Sequence, residues 1–223
     1  MRRHHLTLAA LVITSVVTSE PARAVQGKAA PPGVLLDTTN AFWKQHAPDV
    51  FRARVETTRG TFVIEAHRAW APIGVDRFYN LIRAGFYNDS RFYRIRPRWA
   101  QFGIAGDPAV SVVWRDRRMP DDPVVKSNLR GFVAYAMTGP NARTTQVYVN
   151  LIDRADQDTL GFVAFGQVID GMAVVDSLYS GYGEESGGGM RAGKQGPLFE
   201  SGNQYLDDKY PKLDHLVRAT IVP

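Results

Sequence analysis

The sequence predicts a mainly β fold, an antiparallel sheet closed into a barrel with helices over its ends. Three observations predict it. Several short strand-like segments lie close together along the chain, and only two stretches carry the spacing of an amphipathic helix. No strand–helix–strand rhythm and no fixed-period repeat recurs.

Residues 1–24 stand apart from the rest. Arg2 and Arg3 open them, Leu6 to Val17 are mostly apolar, and Ala22-Arg23-Ala24 offers the small-x-small pattern that signal peptidases cut after. An apolar run of about a dozen residues cannot cross a hydrocarbon layer of ~30 Å as a helix. The expectation is a cleaved signal peptide, cut near Ala24, and an exported protein, periplasmic or secreted, with no stable membrane anchor. Residues 25–49 read as a linker and N-terminal extension. VQGKAAPPGV has small residues and two prolines, and TTNAFWKQHAPD can form a short helix capped by Thr39 or Asn40.

The domain proper spans 50–223. Phe51, Ala53 and Val55 alternate with Arg52, Arg54 and Glu56, and Phe62, Ile64 and Ala66 repeat the two-residue period after a turn at Thr58-Arg59-Gly60. From Pro72, the spacing of Val75, Phe78, Tyr79 and Ile82 predicts a helix that ends near Gly85. GFVAYAM (131–137), QVYVNL (146–151) and GFVAFGQV (161–168) read as buried strands. Asp170 is the expected cap of a second helix with Met172, Val175 and Tyr179 on one face, closed by Gly181. SGYGEESGGGMRAGKQG is a long glycine-rich loop, and HLVRATIV is the last strand.

Composition excludes several classes. There is no cysteine, which removes thiol, disulfide and cysteine–zinc chemistry and leaves the fold to rest on its hydrophobic core. A formal net charge of +5 on 223 residues makes no case for a nucleic-acid partner. Beyond the leader, His46, His67 and His215 form no HExxH, and no GxSxG is present. The stretch from Gly188 to Gln195 nearly spells a phosphate-binding loop, but Gln195 offers no hydroxyl for magnesium and Gly196-Pro197 follows.

Two stretches remain. FYRIRPRWAQFGIAGDP (92–108) sets Arg94 among aromatic residues, and in GPNARTTQVYVN (139–150) Gln146, Tyr148 and Asn150 face one side of a strand. If both strands share a face, Arg94, Gln101, Gln146 and Tyr148 surround one apolar hollow. Polar groups there are costly unless paired or used. On the residues alone, this set fits a structural arginine network as well as an active site.

FYRIRPRWAQFGIAGDP, RGFVAYAMTGPNARTTQVYVNL and GFVAFGQVIDGMAVVDSL resemble, in order, the cyclophilin-type peptidyl-prolyl isomerases, most closely the exported bacterial branch with QFGIxGDP and YSGYGE. The resemblance covers about residues 50–222. It implies an eight-stranded antiparallel barrel capped by two helices and isomerisation of X-Pro bonds without cofactor, metal or covalent step. It further implies Arg94 and Gln101 as catalytic residues. Trp99, Ala136, Met137, Gln146, Tyr148 and Phe162 follow as substrate-binding residues of the groove. Its partners are proline-containing peptides and unfolded or folding protein clients, met by a monomer.

An arginine suits this chemistry. Rotating an amide out of conjugation meets a barrier of roughly 18–20 kcal/mol. The twisted prolyl nitrogen regains a lone pair, and a guanidinium donor aimed at it favours the twisted form over either planar one.

The departures from the family are specific. Tyr93 stands where His or Phe is common, and Arg94 to Gln101 is one residue shorter than usual. Met137 replaces an asparagine, Phe162 replaces a histidine, and ADQDTLG lacks the tryptophan associated with cyclosporin binding. They motivate a second reading, a proline-peptide-binding module or chaperone with weak or no isomerase activity. A third, an exported hydrolase with a triad assembled only in space, has no residue pattern in its favour.

Overall fold

The computed structural model describes residues 30–189 and 193–223, so the expected signal peptide and the centre of the glycine-rich loop lie outside the described residues. The protein is built on one antiparallel sheet. Its strands are β1 (Val50–Thr57), β2 (Gly60–His67), β3 (Ser90–Arg91), β4 (Arg94–Arg96), β5 (Trp99–Phe102), β6 (Phe132–Tyr135), β7 (Val147–Asn150), β8 (Ala164–Asp170) and β9 (His215–Val222). Their spatial order is β3-β9-β1-β2-β8-β6-β7-β5-β4. The two edge strands, β3 and β4, are separated in sequence only by Phe92 and Tyr93, so the sheet curls until its ends are a dipeptide apart.

β1 and β2 form the hairpin that alternation predicts, paired from Val50↔His67 to Thr57↔Gly60. Phe51, Ala53, Val55, Phe62, Ile64 and Ala66 all point into the core. The concave side of the sheet fills with aromatic rings. Phe165 lies 4.9 Å from Phe78 and 5.1 Å from Tyr135, and Phe102 lies 5.2 Å from Phe92. Burial of such rings, at 150–250 Å² each by general experience, supplies the main stabilisation that disulfides cannot give here.

Helix α1 (Pro72–Arg83) closes one end and buries Val75, Phe78, Tyr79 and Ile82, the face its spacing predicts. The second expected helix is corrected. Asp170 remains in β8, paired with Val63, and α3 is only Met172–Asp176. Gly171 takes the cap position with φ 76°, where a Cβ would collide with the Thr61 carbonyl. Two further helices appear among the described residues, α2 (Pro108–Trp114) and α4 (Gly196–Lys209), giving four in place of two. They pack against each other, and α4 helps build a second apolar cluster with Tyr93, Ile104, Leu198, Phe199, Leu206 and Leu213.

The N-terminal extension lies on α1 and α2. The expected short helix is a 3-10 turn, Ala41–Lys44, where the Phe42 N–H donates to the Asn40 side chain at 3.0 Å. Trp114 donates its indole N–H to the Leu35 carbonyl at 2.8 Å, and the Ala47 N–H donates to Asp76 on α1 at 2.8 Å.

One buried ion pair steadies the segment before β7. Arg143 is fully buried and donates to Asp122 at 3.0 Å, while Asp122 also accepts the backbone N–H groups of Ile73 and Gly74 at the start of α1, both at 2.9 Å. Asp121 also lies 3.0 Å from Arg143 Nε, but it is more exposed, so removing Asp122 leaves the buried guanidinium under-compensated and two backbone N–H groups of α1 without their acceptor. Asp122→Ala is expected to cost about 3–5 kcal/mol in urea unfolding, and Asp122→Leu combined with Arg143→Met should recover a large part of it. A single variant as stable as the parent would contradict this account.

Candidate functional site

The register of three strands brings the predicted residues together. Across the β4–β5 hairpin Arg94 pairs with Gln101 and Arg96 with Trp99, and across β5–β7 Gln101 pairs with Tyr148. Directly opposed residues project to the same face. Arg94, Trp99, Gln101 and Tyr148 therefore share one surface. The Ala136 N–H donates to the Gln146 carbonyl at 2.9 Å and carries the surface on to the next segment. Pro97-Arg98 form the two-residue turn between β4 and β5, which sets Trp99 opposite Arg96.

That surface is hollowed into a groove of about 430 Å³, and all eight residues singled out in the sequence line it: Arg94, Trp99, Gln101, Ala136, Met137, Gln146, Tyr148 and Phe162. The walls combine aromatic and apolar side chains with glutamine amides and threonine hydroxyls. Tyr148 meets Phe162 edge to face at 6.0 Å. Among the described lining residues there is no carboxylate and no histidine. His46 faces Asp76 and His67 stacks on Trp70, so neither is placed to serve a nucleophile in the groove.

The polar groups form one chain. The Arg94 guanidinium, whose side chain is 13% exposed, donates from one Nη to Gln101 Oε1 at 3.0 Å and from the other to Glu184 Oε1 at 3.0 Å. Its Cζ lies 5.2 Å from the Trp99 ring centre, within cation–π range, and its Nε has no partner. Gln101, itself buried, donates its amide to Gln146 Oε1 at 3.0 Å and to the Tyr93 hydroxyl at 3.2 Å, and that hydroxyl donates to Gln146 Oε1 at 2.6 Å. Burial pushes the Tyr93 phenol far above its ordinary pKa, so the group stays neutral and keeps its proton for this bond. Burial raises Tyr148 in the same way, and its hydroxyl, like the Trp99 indole N–H, has no partner in the structure.

Sequence reasoning missed Glu184, Gly187 and Gln195. Gln195 exchanges hydrogen bonds of 3.3 Å with Gln146. Gly187 lies so close to Arg94 that an added Cβ would be 2.8–2.9 Å from the arginine Cβ, Cγ and Cδ. All three belong to the glycine-rich stretch, whose composition signals a loop but not what it touches. Tyr93 was visible only as a departure, and its role as the hub between two glutamines needs the fold.

With this geometry in hand, the comparisons agree on one family. The family model described as cyclophilin type peptidyl-prolyl cis-trans isomerase/CLD matches residues 52–193. The peptidyl-prolyl cis-trans isomerase A of Dickeya dadantii is 29% identical over 55% of this chain and 67% of its own length. The isomerase B of Escherichia coli is 28% identical over 55% of this chain and 80% of its own. A cyclophilin-type isomerase from Cryptosporidium parvum, crystallised in the presence of the dipeptide Ala-Pro, superposes with a TM-score of 0.55. At 18% identity over 77% of this chain and 99% of the other, that is a likeness of fold.

The Tyr93 hub makes a prediction of its own. Tyr93→Phe keeps the ring and removes the hydroxyl, while Gln101 and Gln146 retain their mutual bond. It is expected to lower stability by about 1 kcal/mol in urea unfolding and to leave the two amides less ordered by NMR. No change in either measurement would show that the hydroxyl is idle.

Proposed function

This chain belongs to the cyclophilin-type peptidyl-prolyl cis-trans isomerases, and we propose that Arg94 is the group by which its groove turns a prolyl bond. The activity is that of the family, cis-trans isomerisation of X-Pro peptide bonds. The observation that carries the Arg94 reading is the position of its guanidinium. It sits in the wall of the groove, with one Nη fixed to Gln101 and its Nε–H without a partner.

The proline ring enters between Trp99, Met137, Tyr148 and Phe162, where apolar surface displaces water. Ala136 leaves room for the substrate chain, and Gln146 offers its amide to the peptide backbone. As the prolyl bond twists, its nitrogen pyramidalises and becomes an acceptor for an Arg94 N–H. Gln101 keeps that donor in place. Met137 can still bind through its backbone, which its side chain does not alter. No proton is transferred and no bond is formed or broken.

The clients are proline-containing segments of unfolded or folding proteins, and the enzyme acts on them as a monomer. The leader-like residues 1–24 support export, to the periplasm or beyond, after cleavage near Ala24. The curled sheet reads best as a closed barrel in which β3 and β4 are one strand interrupted at Phe92-Tyr93. Counted so, it has eight strands. The support is that β3 bonds to β9 and β4 to β5, with two residues between them.

Exchange spectroscopy on a short X-Pro peptide tests the central claim. The protein should accelerate cis-trans exchange, and Arg94→Ala should lose at least ~100-fold in kcat/KM, the scale for removing one transition-state donor. An Arg94→Ala protein as fast as the parent would remove Arg94 from the mechanism. Separately, N-terminal sequencing of protein recovered from the cell envelope or medium should begin at Val25; an intact Met1 on that material would end the export reading.

A further inference from the structure

The glycine-rich segment between α3 and α4 has so far no part in the chemistry, yet it touches Arg94 at two points and Tyr93, its neighbour, at a third. Glu184 Oε1 accepts from Arg94 Nη2 at 3.0 Å and lies 3.5 Å from Arg96 Nε. Gly187 is packed on the aliphatic stem of Arg94, with no room for a side chain. Ser186, buried, donates its hydroxyl to the Tyr93 carbonyl at 2.7 Å, which ties the segment to the residue before the arginine.

We propose that this segment is the positioning element of the active arginine and that Glu184 is its positioning residue. The inference rests on the reading of Arg94 given above. An arginine side chain that is free samples many rotamers, and holding it still costs entropy. Gln101 alone holds one Nη and leaves the guanidinium plane free to swing about that contact. A second acceptor on the other Nη, from a different part of the chain, removes the swing. Gly187 then blocks the stem from backing away, and Trp99 covers one face of the cation.

The side from which the carboxylate acts decides the sign of its effect. Arg94 lines the groove and Glu184 is not among the described lining residues, so the carboxylate holds the cation without taking up the space open to the substrate. It orients the guanidinium from there while the unclaimed N–H groups remain for the prolyl nitrogen. Donors held before the reaction need no reorganisation during it. A carboxylate in front would instead compete with the substrate for the same donors.

The test uses the full-length protein with Glu184→Ala, Glu184→Gln and Gly187→Ala, beside the parent and Arg94→Ala. Cis-trans exchange of bound peptide should fall roughly ten- to a hundredfold in Glu184→Ala, the range for a slightly misplaced catalytic group, while the peptide Kd changes less than about twofold. Glu184→Gln, which keeps the acceptor, should retain most of the rate. Gly187→Ala should lose rate as Glu184→Ala does. Independently of turnover, nitrogen-15 NMR should show the Arg94 Nη groups rotating slowly in the parent and fast in Glu184→Ala. Unchanged bound-state exchange and unchanged Arg94 rotation in Glu184→Ala would overturn the proposal, as would a fall in rate that tracks lost melting temperature in every variant. An Arg94→Ala protein as fast as the parent sinks the Arg94 mechanism instead; a silent Glu184→Ala in an enzyme that needs Arg94 sinks only this inference.

Discussion

Arg94 and Gln101 face each other across a two-residue hairpin, and that pairing decides where every other group of the groove can sit. A β-strand presents alternate residues to alternate faces, so a slip of one residue would turn both side chains to the opposite side of the sheet. The Leu151 N–H, donating to the Arg98 carbonyl at 2.9 Å, pins the tip of the hairpin and makes the slip costly. Once Gln101 is placed, β7 must put Tyr148 beside it, and Gln146 follows two residues earlier.

The opposite wall has no ladder of comparable length, and a charge network takes over. Residues 137–146 are largely irregular, tethered through Arg143 to Asp122 and through Asp122 to the first N–H groups of α1. Burying this pair need not add stability, because desolvation of both ions offsets their attraction. What it supplies is a defined geometry, since Arg143 is gripped by two adjacent carboxylates, Asp121 and Asp122, each at 3.0 Å, and Asp122 is fixed by two backbone donors. The segment that carries Met137 and Gln146 is thereby held relative to α1 and the core beneath it.

Where period and packing coincide, the sequence was legible. β1 and β2 show strict alternation and α1 shows the helical stripe, because each buries one face only. α2 escaped notice since PAVSVVW is rich in β-branched residues; its one clear sign was Asp107, whose side chain accepts from the Ala109 N–H ahead of the proline turn. α4 escaped because Gly202, with φ 55° and ψ −137°, interrupts it and spoils any continuous stripe. Asp170 misled as a cap because a neighbouring glycine with positive φ does that work without a side-chain bond. The groove was legible as a set of residue types, Arg, Gln, Gln and aromatics, matched to a known family. Its back support was not, since Glu184 lies 90 positions from Arg94 in sequence and only folding makes them neighbours.

The distribution of charge around the groove explains how an arginine can serve there at all. A cation in an apolar site must be compensated, but compensation from the substrate side would occupy its donors. The protein separates the two demands. Its lining residues hold amides, hydroxyls and rings, with no anion among them. Burial keeps the Tyr93 and Tyr148 phenols neutral, so neither becomes a competing phenolate. Among the described residues the carboxylate bonded to Arg94 is that of Glu184, which does not line the groove and sits on a segment whose glycine permits backbone to press against the arginine stem. The desolvation cost of the guanidinium is thus offset by Glu184 and Gln101, and the proposed reaction asks only that its remaining N–H groups meet a prolyl nitrogen as the peptide bond twists.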